Sequence, residues 1–159
     1  MAVHKLLVDD FEDSNYSLLA VHCEMEDYRL AYYLNKYLET RLARTKEDLD
    51  FITSLASFPV FKWSNKQLQT DWHLIKNSCL VEKMAVSQGL FSEINDKSWV
   101  IHSLLPEHHS VDYILKINNG GGFINEKQIL DKIQKIPKVS TAYSVDISQL
   151  KSKDHLIFN

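Results

Sequence analysis

Cysteine is scarce in this chain: Cys23 and Cys79 are the only two in 159 residues, and no C-x-x-C spacing exists between them, so a thiolate metal frame is not indicated. Each lies in an apolar, strand-like run where a reduced thiol behaves as a small hydrophobe, and both are read as buried and inert. Glycine numbers four, three of them in the stretch NNGGG at 118–122. That stretch fits neither G-x-G-x-x-G nor the P-loop pattern and no Lys-Ser/Thr follows it, so it reads as a mobile loop rather than a phosphate cradle. Long apolar runs are also absent. Nowhere do about eighteen apolar residues follow one another, and the start MAVHKLLVDD lacks the basic-then-apolar form of a signal peptide. A cytoplasmic protein with no membrane partner is expected.

Arginine is limited to Arg29, Arg41 and Arg44, all in the acidic part of the chain. Residues 1–50 hold six Lys/Arg against eleven Asp/Glu, and the rest hold twelve against ten. Local ion pairing therefore fits the arginines better than a basic patch for phosphates. What is present is ordinary: 45% hydrophobic and 25% charged residues, as in globular proteins. The length suffices for one core and is too short for two ordinary domains, so residues 1–159 are read as a single globular domain.

Short apolar runs at 3–8 and 16–23 are separated by DDFEDSN. Asp9, Asp10, Glu12 and Asp13 lack the spacing and the glycine of a calcium loop, and read as a solvated connector. From Glu26 the apolar period changes. Leu30, Leu34 and Leu38 recur every four residues with Ala31 on the same face, and neither Gly nor Pro intervenes up to Arg41, which predicts an amphipathic helix. Tyr28, Tyr32, Tyr33 and Tyr37 along it read as core and rim packing rather than base-stacking platforms. RLARTKEDLDF, SFPVFKWS, DWHLIKNSCLVE, SWVIHSLL and VDYILKI are rich in aromatic and branched residues and read as consecutive strands of an antiparallel meander. Pro59 cannot donate to a ladder, which predicts an edge or a bulge there. Asn125 with Gln128 resembles a capping box for a second helix whose buried stripe is Ile129, Leu130, Ile133 and Ile136, ended by Pro137. VSTAYSVD then alternates as a strand whose small face (Ser140, Ala142, Ser144) suits cover by a helix. HLIF at the end is too apolar to be left loose and should dock on the sheet or on a partner. The fold class expected is α+β: an antiparallel sheet with two principal helices.

The densest chemistry is LLPEHHSVDYILKI at 104–117, where Glu107, His108, His109, Ser110, Asp112 and Tyr113 crowd together. Between two strands it reads as a hairpin with Pro106 at its first turn position and Glu107, His108 and His109 at the tip. Within the strand that follows, Val111, Tyr113, Leu115 and Ile117 would form a core face, opposite Asp112, Ile114 and Lys116. Pro106, Glu107, Val111, Asp112 and Tyr113, with Leu105 in place of Ile, resemble the element after which the bacterial IPExxxVDY family of the Bacteroidota is named. MAVHKLLVDDF, EDYRLAYYLNKYL, KEDLDF and YSVDISQLKSKDHLIF are similar in style to that family over the whole length. The resemblance brings no activity with it, and it leaves His108 and His109 at unspecified positions.

Adjacent histidines in a turn point different ways, unlike H-E-x-x-H on a helix, so no metal and no cofactor is expected. Ser110 has no base assigned to it. Two readings remain for Glu107, Asp112 and Tyr113. Either Glu107 pairs with Asp112 as acid and base across a small pocket, or Asp112 accepts turn amides, Tyr113 packs inward with its hydroxyl bonded, and Glu107 fixes the turn. With no enzyme signature, the expected function is a non-catalytic adaptor or accessory factor bound to a protein partner, with Trp63, Trp72 and Trp99 as anchors where exposed. One alternative is an RNA-associated protein using Lys127, Lys132, Lys135, Lys138, Lys151 and Lys153. The other is a small enzyme using Glu107, Asp112 and Tyr113 with a histidine such as His73 or His102.

Overall fold

The computed structural model describes residues 16–51, 54–84 and 97–158. The expected strand at 3–8 and the acidic connector at 9–15 lie outside them. Along the chain run β1 (Tyr16–Cys23), α1 (Asp27–Leu38), β2 (Ala43–Arg44), β3 (Leu49–Phe51), β4 (Ala56–Phe58), β5 (Val60–Asn65), β6 (Thr70–Lys76), β7 (Ser78–Met84), β8 (Lys97–Ser103), β9 (Tyr113–Asn118), α2 (Glu126–Gln134) and β10 (Val139–Ser144). The class is α+β, with two α-helices and antiparallel strand pairs among the described residues.

Strand order departs from a simple meander. The main sheet runs β10-β1-β9-β6-β5-β2, while β3-β4 and β7-β8 form separate two-stranded ribbons. Consecutive strands pair at β3–β4, β5–β6 and β7–β8, but β1 lies between β9 and β10, which follow it by roughly a hundred residues in sequence. Apolar alternation specifies which face a strand buries and not which strand lies beside it.

Both faces of this sheet are covered. Leu19, Val21, Leu74, Tyr113, Leu115 and Ile117 pack with Leu30, Leu34, Ile133 and Ile136 under the helices. Leu18, Ala20, Ile75 and Ile114 pack on the other side with Phe58, Val81, Leu104, Leu105 and Val111, under the ribbons and the C-terminal segment. The expectation that β9 buries one face is thereby corrected: Ile114 is as buried as Leu115, and Val111 belongs with Ile114 rather than with Tyr113.

The helix stripes are where periodicity puts them. Leu30, Ala31 and Leu34 are buried on α1, whose Tyr33 and Tyr37 pack against the core while Tyr28 and Tyr32 are exposed. This helix ends at Leu38 rather than Arg41. Glu39 turns left-handed (φ 58°), and the Asn35 carboxamide takes over the next amides, accepting from Leu42 N and Thr40 Oγ1 at 2.8 Å and donating to Leu42 O at 3.0 Å. Asn125 Oδ1 accepts from Gln128 N at 3.1 Å, the cap its sequence predicts. Ala142 of β10 is buried against the helical side, and Gln134 Nε2 donates to its carbonyl.

Punctuation elsewhere marks changes of sheet. Pro59 separates β4, in a ribbon, from β5, in the main sheet. DWHLIKNSCLVE is two strands rather than one, broken at Asn77. NNGGG forms a self-bonded turn: Asn118 Oδ1 accepts from Gly120 N, Gly122 N donates to Asn119 O, and Gly120 and Gly121 take positive φ that side chains would strain. Leu156 and Phe158 of the HLIF tail dock on the sheet side opposite the helices.

Candidate functional site

No hairpin joins β8 to β9. β8 pairs with β7 in a ribbon, whereas β9 is inserted between β1 and β6, so 104–112 is a crossing between two sheets. It contains a short 3-10 turn, Pro106–His108, with Pro106 at its start, where the missing N–H costs nothing.

Asn77 organises this crossing. Its side chain is fully buried and donates to His108 O (2.8 Å) and Val111 O (2.9 Å) while accepting from Leu105 N (2.9 Å). Its backbone donates to Asp112 O and accepts from Leu104 N. One carboxamide therefore satisfies main-chain groups at both ends of the segment, groups that burial would otherwise leave without partners. Leu104, Leu105 and Val111 are buried beside it.

Glu107, Asp112 and Tyr113 point to three different parts of the chain. Glu107 Oε1 accepts from Lys151 N and Ser152 N at 3.0 Å and from Ser152 Oγ at 2.7 Å, tying the crossing to the C-terminal segment. Desolvation by itself would raise its pKa, but the Ser152 hydroxyl and the surrounding amides outweigh it and hold the carboxyl down at about 2. Asp112 Oδ2 accepts from Cys23 N at 2.9 Å, beside the irregularity that ends the β1–β10 ladder. The amides it serves thus belong to a distant strand rather than to its own turn. Tyr113, only 1% exposed, donates its hydroxyl to Met25 O between β1 and α1. Burial first, then the negative charges around it, raise the phenol's pKa well above the ordinary value.

The Glu107 carboxyl accepts from Lys151 and Ser152 and the Asp112 carboxyl from Cys23, so the two are engaged at different places in the fold. Two clefts lie on the ribbon side of the sheet. One, of about 210 Å³, is lined by Phe51, Phe58, His102, Pro106 and His155 among others; the second, of about 360 Å³, includes His73. Neither is lined by Glu107, Asp112 or Tyr113. The histidine that approaches Asp112 is His22, with Nδ1 at 4.0 Å from Oδ2 and Nε2 at 3.1 Å from the Tyr143 hydroxyl. Its place on β1 gave no sequence signal, because its partners lie about ninety residues or more away.

Among the described residues no three His, Cys, Asp or Glu side chains gather as a metal cluster. Cys23 is buried, and burial followed by the Asp112 charge pushes its thiol up. Cys79 is half-buried rather than buried. Of the tryptophans, Trp72 is buried, Trp63 partly so, and Trp99 exposed. Lys127 and Lys135 share one face of α2 with Asp131 between them, and Lys138, Lys151 and Lys153 lie on later segments. No helix of the described residues is long and apolar enough to cross a membrane.

Comparison of the chain with protein families, with curated proteins and with solved structures finds no match.

Proposed function

We propose that this chain is a non-catalytic cytoplasmic binding protein, a member of the IPExxxVDY family it resembles, and that it docks a protein partner on the outer face of the β7–β8 ribbon. The observation that carries the reading is a cluster on that face. Leu80 and Ile101 are direct cross-strand neighbours, and with Trp99 two residues along they are 64%, 67% and 61% exposed. The alternate residue Val81 faces the core. Scattered apolar residues on a surface need no explanation, but a Trp-centred group on one ribbon face is the composition of an interface hot spot. The rim suits it: Glu82, opposite Trp99, pairs with Lys97 at 3.1 Å. The ties made by Glu107, Asp112 and Tyr113 support the same reading, because they hold the fold together instead of facing a substrate.

A pull-down of the tagged chain from its native cytosol, with mass spectrometry, tests this. The parent should retain one stoichiometric protein, and Trp99→Ala with Ile101→Lys should lose it with the melting temperature unchanged. Retention by the variant overturns the docking face. Capture of nuclease-sensitive RNA in its place would transfer the function to the carboxy-terminal lysines.

A further inference from the structure

Lys62 on β5, His73 on β6 and Lys116 on β9 stand directly opposite one another in a single cross-strand row. The row sets the Lys62 and Lys116 side chains on either side of the His73 ring. Lys116 is satisfied: its ammonium donates to Leu156 O at 2.7 Å and lies over the rings of Tyr16 and Phe158. Lys62 is half-buried and makes no hydrogen bond or ion pair among the described residues. His73 is 7% exposed, and among the described residues neither of its ring nitrogens has a hydrogen-bond partner. A buried ring with both polar atoms unpaired is uncommon in a finished fold and calls for an explanation such as a bound molecule.

His73 is among the residues lining the cleft of about 360 Å³, its ring 5.0 Å from that of Phe158, and that volume is within the size range of small-ligand sites. Burial, with Lys62 and Lys116 acting against Asp71, lowers the His73 pKa to about 4. At neutral pH the ring is therefore uncharged and offers one N–H and one lone pair. Beside it the cleft has a basic end at Lys62 and an apolar wall of Leu49, Val60 and Phe158. Of the acidic groups at its rim, Asp48 is already paired with Arg44 and hydrogen-bonded by Ser57, and Glu47 remains. With Lys46 also in the lining, two ammoniums, one N–H donor and the acid Glu47 leave one net positive charge, which suits a singly charged acceptor better than a dianion.

We propose that this cleft binds a small organic carboxylate with a short apolar tail, its carboxylate between Lys62 and His73 and its tail against Leu49, Val60 and Phe158. The assignment is independent of the docking face on the β7–β8 ribbon.

The test is a titration of the full chain, with labelled histidine side chains observed by NMR. Sodium hexanoate is the probe, with inorganic phosphate and hexylamine as separate arms. The His73 ring resonances should move saturably with hexanoate in the millimolar range and stay in place with the other two. Lys62→Met, a half-buried position where the fold should persist as judged by amide dispersion, should weaken hexanoate about tenfold or more, the loss of one charge-assisted hydrogen bond. A His73 ring unmoved by hexanoate overturns the proposal, as an ordered water then satisfies the imidazole. So does Lys62→Met binding hexanoate as the parent does, or a response to phosphate in place of hexanoate.

Discussion

Asn77 and Val111 are 34 positions apart in sequence, yet the Asn77 carboxamide donates to the Val111 carbonyl at 2.9 Å inside a fully buried site. The same side chain bonds His108 O and Leu105 N. Asn77→Ala should therefore leave three main-chain groups unpaired and cost about 3 kcal/mol or more, at the upper end of single substitutions. Asn77→Asp should also destabilise, because a carboxylate cannot donate to two carbonyls. Denaturant unfolding measures both, and a loss below about 1 kcal/mol for the alanine variant would mean that water replaces the carboxamide.

Glu107 predicts an acid limb. Its carboxyl titrates at about 2 in the folded chain against an ordinary value of 4.5, so the folded state holds it ionised more strongly than the unfolded state does. That stability is fully present above pH 4.5 and is lost as pH falls from there towards 2. The side chain is exposed, so solvent screening keeps the gain small. Melting curves of the parent and of Glu107→Gln between neutral pH and pH 2 should differ most at neutral pH and converge in acid. A constant difference would assign the role of Glu107 to shape instead of charge.

The motif histidines and Asp112 should separate. His109 is exposed and His108 engages Asn77 through its carbonyl alone, so His108→Ala with His109→Ala should change stability by no more than about 0.5 kcal/mol. Asp112→Ala leaves Cys23 N without its acceptor and should cost about 1 kcal/mol, with Asp112→Asn recovering part of it through the remaining oxygen. Thermal melts of the three variants decide. An Asp112→Ala chain as stable as the parent would show that water reaches the Cys23 amide.

These residues also show what was legible. The two helices were, because a stripe of period near four and an Asn–Gln cap are local signals that survive any tertiary arrangement. The inward side of Tyr113 was legible in the same way, from alternation along one strand. Asn77 was not: in DWHLIKNSCLVE it looks like one polar residue in a continuous strand, and its importance resides in partners more than two dozen positions on. His73 was legible as a residue and not as an orphan, since its isolation depends on β5 and β9 arriving on either side. Lys116 misled the reading of β9. A lysine among apolar residues marks a solvent face by default, but here it is half-buried and its head reaches Leu156 O and lies over the Phe158 ring.

That error yields a prediction about the core on each side of β9. Ile114 and Leu115 are both 0% exposed, but one belongs to the cluster under the ribbons and the other to the cluster under the helices. Ile114→Ala and Leu115→Ala should each cost about 2 to 5 kcal/mol, the lost burial adding to the cavity left behind. Leu34→Ala, in the helical cluster with Leu115, should cost a similar about 2 to 5 kcal/mol. Because the sheet separates their surroundings, Ile114→Ala should combine with Leu34→Ala additively to within about 0.5 kcal/mol, whereas Leu115→Ala with Leu34→Ala is free to depart from additivity through shared neighbours. Denaturant midpoints of the single and double variants measure this. If Ile114→Ala proved as mild as a surface change, β9 would have one core face, and the layer of ribbons and C-terminal segment would not belong to the cooperative fold.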